Sequence, residues 1–278
     1  MGKISITMAI LLLMGCSSSG DYLPPAGTTT TTSFYNLDLT TGTLTPVVES
    51  MVATGSSVTL RRLDAGTTPY APRDEVTDTG ISTLLLGSPQ VGSYYLARTE
   101  LTQAQWQTLV GSAGTGTSAP WGSVAWAAPA GAAYPAANLS ANEVKTVLAA
   151  WNARFPHKLR LPTCAEWENA CRAGTSTPWS WGSSEAEAGT YASVHETQNG
   201  SSGASPVAGR SANAWGFFDL HGNVWEWVSD GGTGGVPCLR GGSWSDNLLS
   251  ARSGNRLDLS ESTAFPLAGV RLVLEVTL

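Results

Sequence analysis

Residues 213–227 read NAWGFFDLHGNVWEW, and this stretch decides the fold that the sequence predicts. If its last three residues are extended, Trp225 and Trp227 place their indoles on one face and Glu226 places its carboxylate on the other. Only 13% of the chain is charged, so the simplest interpretation of the triplet is core packing by the indoles and one salt bridge by Glu226. All 11 tryptophans lie from Trp106 onward, which places the most informative part of the chain in its C-terminal two thirds.

Further motifs lie on both sides of this stretch, in a fixed order. They are YLARTELTQAQW at 95–106, LRLPTCAEWE at 159–168, LRGGSW at 239–244, and then Arg252, NR at 255–256 and GVRLV at 269–273. Together with residues 213–227 they resemble the formylglycine-generating enzyme family, also called the sulfatase-modifying factor family, over roughly residues 56–278. The resemblance implies an α+β domain of the C-type-lectin type, with few helices, short strands and much irregular loop.

Three S/T-x-x-E/Q capping boxes predict where helices begin. Each is followed by apolar residues at helical spacing. Two glycines, Gly111 and Gly174, are predicted to end the first and the third helix. The capping boxes pair Thr102 with Gln105, Ser140 with Glu143, and Thr163 with Glu166.

Alternating apolar and polar residues predict strands at both ends of the globular part. Residues 34–52 predict a β-hairpin that turns near Gly42, and residues 236–244 and 268–278 predict later strands, the last of them paired inside a sheet. The domain organisation is accordingly a signal peptide at 1–15, a linker at 16–33, a hairpin extension at 34–55 and the family domain at 56–278.

The N-terminal apolar run, residues 4–14, is too short to span a bilayer of about 30 Å as a helix. It ends in LMGC, which resembles a bacterial lipobox and predicts a lipoprotein signal peptide with a lipidated Cys16. The alternative is an ordinary secretory signal in which Cys16 is incidental. Ser17 favours the outer membrane, and residues 17–33, rich in Thr, Ser, Gly and Pro, form a tether.

Composition excludes several classes of partner. The formal net charge is -6, so the chain offers no basic surface for neutralising phosphates, and we expect no nucleic-acid partner. Only three of the cationic residues are lysines, which argues against polybasic binding to anionic lipid and leaves the lipid anchor as the only membrane contact. The expected partner is a protein or glycan at the bacterial cell surface.

The family resemblance also implies a metal site. In the family, the G-N-x-W-E-W element contributes backbone carbonyls and a carboxylate to a calcium ion, which prefers oxygen ligands. Carried over to this sequence, the calcium ligands are Gly222, Val224 and Glu226, with Asn223 close by.

Catalysis is not expected from the residues that the family uses. Its oxidase chemistry needs two cysteines just after the G-G-S-x element, because thiolates bind copper and engage the substrate thiol. Residues 245–250 read SDNLLS and contain neither, so we expect no copper and assign no catalytic residue. His157, His195 and His221 lack metal-ligand spacing, and a structural hydrogen-bonding role is the preferred interpretation of His221.

The C-terminal segment at 245–267 is the candidate ligand-binding surface. The RGGSW…NR…GVR ending resembles the variable region of lectin-type target proteins of diversity-generating retroelements, in which scaffold residues alternate with exposed, diversified positions. Ordinary family members also carry irregular loops at this place. The corresponding contact residues here are Ser245, Asp246, Asn247, Leu249, Leu257, Asp258, Leu259, Ser260, Ser262, Thr263 and Phe265.

The sequence therefore predicts a noncatalytic, lipid-anchored binding protein, with two alternatives left open. One is an oxidoreductase of the sulfatase-modifying-factor type that modifies an exported protein by a cysteine-independent route; the other is a structural module of the cell envelope. Among the cysteines, Cys164 and Cys171 lie about 10 Å apart along the predicted helix, too far for a disulfide. Cys171 and Cys238 could pair in an oxidising compartment.

Overall fold

The computed structural model describes residues 34–49, 52–53, 55–67, 90–112, 131–198, 202–232 and 234–275. These residues form short strands, four α-helices and three single-turn 3-10 segments. The elements are β1 (Phe34–Asp38), β2 (Leu44–Val47), β3 (Ser57–Leu63), β4 (Gly66–Thr67), β5 (Gln90–Val91), β6 (Tyr94–Ala97), α1 (Gln103–Ser112), α2 (Ala141–Asn152), β7 (Lys158–Arg160), α3 (Cys164–Arg172), α4 (Ala188–Tyr191), β8 (Trp225–Gly231), β9 (Pro237–Arg240), β10 (Arg256–Leu257), β11 (Ala268–Gly269) and β12 (Val273–Glu275).

The hairpin predicted at residues 34–52 forms and belongs to the largest sheet. Strands β1 and β2 pair antiparallel, and β1 also pairs with β3, so the hairpin extends the six-stranded sheet β2-β1-β3-β6-β12-β7. The Asp38 carboxylate accepts the backbone N–H groups of Thr40 and Thr41 and so fixes the turn. Gly42, at φ +73°, completes the turn. Glycine is required there because a Cβ would lie 2.7 Å from the ring of Phe155.

The C-terminal strand lies inside this sheet, as predicted. Strand β12 pairs antiparallel with β6 on one side and with β7 on the other. A second sheet of four strands, in the order β10-β9-β8-β11, carries the Trp-Glu-Trp triplet at the start of β8. The last two strands, β11 and β12, belong to different sheets, so the short run between them, with Arg271 at its centre, links the two sheets.

All three predicted capping boxes are present. The Thr102 hydroxyl accepts the backbone N–H of Gln105, and the Gln105 side chain accepts the N–H of Thr102. Ser140 with Glu143 and Thr163 with Glu166 make the same reciprocal pairs at the starts of α2 and α3. The α+β architecture follows from these helices and the two sheets.

The two glycines predicted to end helices behave differently. Helix α3 ends as expected, with Ala173 at φ 49° and Gly174 at φ +90°. Helix α1 instead continues through Gly111 to Ser112, so the predicted end at Gly111 is wrong. Gly111 lies inside the helix and, unlike Gly174, does not adopt the positive φ that ends a helix at a glycine.

Tryptophans from separate motifs fill two adjoining cores. Trp106, Trp151, Trp225 and Trp227 belong to the larger cluster, and Trp167 belongs to the second, which also holds the cysteines at 164, 171 and 238. Within the described ranges, no helix combines the length and the apolar character that crossing a membrane requires.

Candidate functional site

The turn at residues 219–224 is held in an unusual backbone conformation. Asp219, Gly222 and Asn223 all have positive φ, at 59°, 98° and 64°. A Cβ at Gly222 would lie 2.1 Å from the backbone carbonyl oxygen of Ser193, so only glycine fits. The N–H of Asn223 donates to that same oxygen at 2.7 Å, which holds the turn against residue 193.

The Trp-Glu-Trp triplet follows this turn and performs the structural role that its pattern predicts. Trp225 and Trp227 are buried in the larger core, where the Trp227 indole donates to the carbonyl oxygen of Leu139 at 2.8 Å. The Glu226 carboxylate accepts from the Trp167 indole at 2.7 Å and from Arg271 at 2.7 Å. The expected salt bridge of Glu226 is therefore present, and Arg271 is its fully buried partner.

This ion pair bears on the calcium site that the resemblance implies at Gly222, Val224 and Glu226. Both carboxylate oxygens of Glu226 already accept hydrogen bonds from Arg271, and one of them also accepts from Trp167. A calcium ion at Glu226 would have to displace a buried guanidinium, so the carboxylate does not fit the role of a calcium ligand in this arrangement. Across the described ranges, no group of three or more His, Cys, Asp or Glu residues is placed to hold a metal ion. Calcium stays a prediction, and the proposal below uses no metal.

Two buried carboxylates that the sequence reasoning did not single out support the same turn. Glu100 accepts the Val224 N–H at 3.0 Å and the Asn223 side-chain amide at 2.6 Å. Burial, followed by the charges of Asp219 and Glu226, raises the pKa of Glu100 well above its ordinary value. Burial also raises the pKa of Asp219, to about 6, while the Ala208 N–H that donates to it acts in the opposite direction. The only signal in the sequence was that Glu100 and Asp219 each lie inside a recognised motif.

The charged residues of the other motifs are also paired with one another inside the protein. The Glu168 carboxylate accepts from Arg172 at 2.8 Å and from Arg240 at 2.5 Å, and all three side chains are buried. Arg160 pairs with Glu166 through two hydrogen bonds of 2.6 and 2.7 Å. The Glu168–Arg240 pair joins residues 72 positions apart, whereas the other two pairs are local.

His221 is a structural residue in this fold. Its Nδ1 lies 2.7 Å from the carbonyl oxygen of Ala251, and its Nε2 accepts the N–H of Ser180 at 3.2 Å, an arrangement that needs the Nδ1–H tautomer. Burial lowers the pKa of His221 to about 4, so the ring is neutral near pH 7. The imidazole therefore fixes the 3-10 turn at Leu248–Ala251.

Hydrogen bonds from buried residues hold the first part of the candidate contact segment, residues 245–251. The Asp246 carboxylate accepts the Trp225 indole N–H at 2.8 Å and the Ser243 N–H at 3.0 Å, and the Ser243 hydroxyl also donates to it. Asn247 caps the following turn by accepting the Ser250 N–H at 3.0 Å, while its side chain remains exposed. The carboxylate of Asp246 therefore holds the loop in place, Ser245 is exposed and Leu249 is half-buried.

An aromatic stack supports this part of the segment. The rings of Trp179 and Trp181 are stacked with centroids 5.5 Å apart, and Trp181 is also stacked on Tyr191 at 5.4 Å. The Trp179 indole donates to the carbonyl oxygen of Leu248 at 3.3 Å, and Leu248 itself is buried against Trp179. The stack occupies both faces of Trp181 and acts as a rigid support.

The second part, residues 257–265, alternates between packing and exposure. Leu257, Leu259 and Phe265 are half-buried against the larger core. Between them, the polar side chains are exposed: Asp258, which pairs with Arg256 at 3.4 Å, and Ser260, Ser262 and Thr263. The two parts of the segment rest on different supports, since residues 245–251 contact the aromatic stack while Glu261 pairs with Lys145 of α2.

The cysteines are arranged differently from the pairing considered from the sequence. Cys171 contacts the Leu220 carbonyl oxygen and the Ser253 hydroxyl, and burial raises its pKa to about 12. Cys238 lies near Cys164 instead, since a Cβ at Gly231 would lie 2.8 Å from the Cys164 sulfur and 3.5 Å from the Cys238 sulfur. The pairing of Cys171 with Cys238, which the sequence left open, is not formed, because the β8–β9 hairpin brings Cys238 near the first residue of α3 and not to the last turn of that helix.

The fold and its motif pairs agree with the comparisons to known proteins. Residues 86–276 match the model of the sulfatase-modifying factor enzyme 1-like domain. The chain belongs to this family, which confirms the resemblance of its motifs.

Curated relatives share parts of this domain. A formylglycine-generating enzyme of Mycobacterium tuberculosis is 42% identical over 79 residues, which cover 25% of this chain and 26% of that protein. One from Streptomyces coelicolor is 29% identical over 193 residues, covering 53% and 60%. The inactive C-alpha-formylglycine-generating enzyme 2 of Bos taurus is 32% identical over 124 residues, covering 41% and 39%. The chain thus spans less than two thirds of the length of each.

Solved structures match over more of the chain. Treponema denticola variable protein 1 has a TM-score of 0.61 at 23% identity, covering 80% of this chain and 96% of that one. PvdO from Pseudomonas aeruginosa has a TM-score of 0.65 at 24% identity, covering 79% and 95%. At these identities the likeness shows the fold.

Proposed function

We propose that this protein is a noncatalytic binding protein that captures a protein or glycan ligand through the exposed side chains of residues 245–267. The observation that carries the proposal is that some residues of this segment pack on the protein interior while others are exposed to solvent. Its apolar residues pack on the core and Asp246 accepts hydrogen bonds from Trp225 and Ser243, while a set of polar side chains is exposed: Ser245, Asn247, Asp258, Ser260, Ser262 and Thr263.

This division suits a contact surface for an energetic reason. A side chain that faces solvent and packs against nothing can be replaced with little change in stability, usually within about 0.5 kcal/mol. The anchored residues Leu257, Leu259 and Phe265 keep the backbone in place, so less ordering entropy is lost when a ligand binds. A surface of this kind can change its specificity without losing its fold. The likeness in fold to a protein named variable protein 1 supports the same interpretation.

The absence of the family's copper cysteines supports a role without oxidase chemistry. Residues 245–250 read SDNLLS, and the cysteines at 164, 171 and 238 are all buried. We further propose that Cys16 is lipidated and that residues 17–33 tether the domain to a bacterial outer membrane, which would present the segment to partners outside the cell. Nucleic acid remains an unsuitable partner at a net charge of -6.

The proposal is tested with defined probes, namely a printed glycan array and an array of purified extracellular proteins. The full chain with Cys16→Ser is compared with the same chain carrying Ser260→Arg and Ser262→Arg. The matched control carries Thr43→Arg and Thr45→Arg, because these side chains are also exposed and the change in charge is the same. We expect the segment variant to lose at least tenfold in affinity for the probes that the parent binds, and the control to keep its affinity.

Two results would count against the proposal. One is equal binding by the segment variant and the parent chain. The other is a reproducible turnover of a cysteine-containing peptide to an aldehyde by the parent chain, which would favour the alternative of a cysteine-independent oxidoreductase.

A further inference from the structure

Two of the buried cysteines meet where helix α3 begins beside the β8–β9 hairpin. Cys164 is the first residue of α3, and Cys238 lies in β9. Gly231, at the end of β8, lies next to both sulfurs. A Cβ there would lie 2.8 Å from the Cys164 sulfur and 3.5 Å from the Cys238 sulfur. Both sulfurs therefore lie within van der Waals reach of a single carbon position.

The surroundings favour a thiolate on one of the two cysteines. Cys164 lies at the N-terminus of a helix, where the backbone dipole favours negative charge. The neighbouring Cys238 thiol lowers the pKa of Cys164, and Arg240 acts in the same direction against the effect of burial. The neighbouring Cys164 thiol and burial raise the pKa of Cys238. Cys164 is thus suited to attack the oxidant, and Cys238 is suited to resolve the mixed disulfide.

A local backbone network positions the pair. The Asp230 carboxylate accepts the backbone N–H of Cys164 at 2.6 Å, and the Cys238 sulfur lies 3.4 Å from the Asp230 carbonyl oxygen. Asp230 therefore contacts both cysteines from the strand next to them. Cys171, at the other end of α3, contacts Leu220, His221 and Ser253 and takes no part in this contact.

We propose that Cys164 and Cys238 form a redox-active dithiol that closes to an intramolecular disulfide. In exchange with a small-molecule disulfide, the Cys164 thiolate attacks one sulfur of the oxidant and releases one thiolate. The Cys238 thiolate then attacks the mixed disulfide at the Cys164 sulfur and releases the second. The protein loses two hydrogens, and the oxidant is reduced to two thiols. The proposal is independent of ligand binding at residues 245–267.

The disulfide would join the start of α3 to the central hairpin of the second sheet and close a loop of about 75 residues. Both cysteines are buried, so exchange takes place as the chain folds or when the hairpin opens. Because the bond restricts the unfolded chain, the oxidised protein should melt about 5 to 10 °C above the reduced protein.

The experiment uses the full chain with Cys16→Ser, so that only the three internal thiols remain. One sample is refolded with oxidised and reduced glutathione and another with dithiothreitol, and both are alkylated in denaturant and mapped by mass spectrometry. We expect a peptide that joins Cys164 to Cys238 with the loss of two hydrogens, and an alkylated Cys171. Alkylation of both Cys164 and Cys238 in the oxidised sample, or a cross-link that includes Cys171, would overturn the proposal.

Matched variants separate the bond from general destabilisation. Cys171→Ser should keep the cross-link and the difference in Tm between the oxidised and reduced samples. Cys164→Ser and Cys238→Ser should each abolish that difference. The peptide map of the parent chain decides the question even where a serine variant fails to fold.

Discussion

Residues 219–226 and residues 257–265 carry similar proportions of polar side chains but use them in opposite ways. In the first region Asp219, His221, Asn223 and Glu226 are all buried and hydrogen-bonded. In the second, most polar side chains face solvent while the apolar ones are anchored to the core. In the first region the ionisable side chains hold the framework together, whereas in the second the serine and threonine side chains are exposed, and these are the ones that we propose contact a ligand.

The largest expected effect is on the first region, from Arg271→Leu. The substitution removes the buried partner of Glu226 and leaves that carboxylate beside Glu100 and Asp219, so we expect a loss of about 3 to 5 kcal/mol in the free energy of unfolding. Chemical denaturation measures it. Arg62→Leu is the control, because its ion pair with Asp64 is exposed and should be worth less than about 1 kcal/mol. Equal losses in both variants would remove the distinction between the two regions.

Gly222→Ala should have the next largest effect. Its Cβ would lie 2.1 Å from the Ser193 carbonyl oxygen, and the residue would also keep a positive φ, so the turn must shift at a cost of about 3 kcal/mol or more. Gly234→Ala provides the control, since its φ is also positive but nothing lies within 4 Å. It should cost only about 1 kcal/mol. Thermal denaturation of the two variants distinguishes steric crowding from conformational strain.

A smaller effect is expected from pH. The pKa of His221 falls from an ordinary 6.5 to about 4 in the folded protein, so the unfolded chain binds a proton that the folded one does not. Stability from this group is complete above pH 6.5 and is lost as the pH falls from 6.5 towards 4, by about 2 kcal/mol at pH 5. The raised pKa of Asp219 acts oppositely below pH 6.

Comparison with His221→Gln isolates the histidine, because Asp219 is common to both chains. Glutamine can keep one donor and one acceptor at this position but does not titrate. The stability advantage of the parent chain at pH 7 should therefore shrink by about 2 kcal/mol at pH 5. Parallel pH profiles for the two proteins would contradict a buried neutral imidazole.

The smallest effect on stability is expected in the second region. Ser260→Arg with Ser262→Arg should change the free energy of unfolding by less than about 1 kcal/mol, because both side chains are exposed. Phe265→Ala should cost more than this pair, since the phenylalanine ring packs on the larger core. If the serine pair proved as costly as Phe265→Ala, the division between anchored and exposed residues would fail.

Much of this fold could be predicted from local sequence signals. The capping boxes at Thr102, Ser140 and Thr163 and the hairpin turn near Gly42 depend on neighbours a few residues apart, so the sequence displays them directly. The order of the motifs was also enough to indicate the family.

The site was less predictable because its contacts join distant residues. Glu226 pairs with Arg271 across 45 positions and Glu168 pairs with Arg240 across 72, and no local pattern reports such partners. The proximity of Cys238 to Cys164 was missed for the same reason, since it depends on how the β8–β9 hairpin packs on α3. Periodicity was equally silent on which residues of the 257–265 segment face the core.

Hydrogen–deuterium exchange tests whether a rigid framework presents residues 257–265 to a ligand. The full chain with Cys16→Ser is measured alone and with a saturating amount of a glycan or protein that binds it on the arrays. We expect slowed exchange on binding to be concentrated in peptides covering residues 245–267, with the 219–226 turn already protected in the free protein. Protection confined to other peptides, with residues 245–267 exchanging as before, would contradict it.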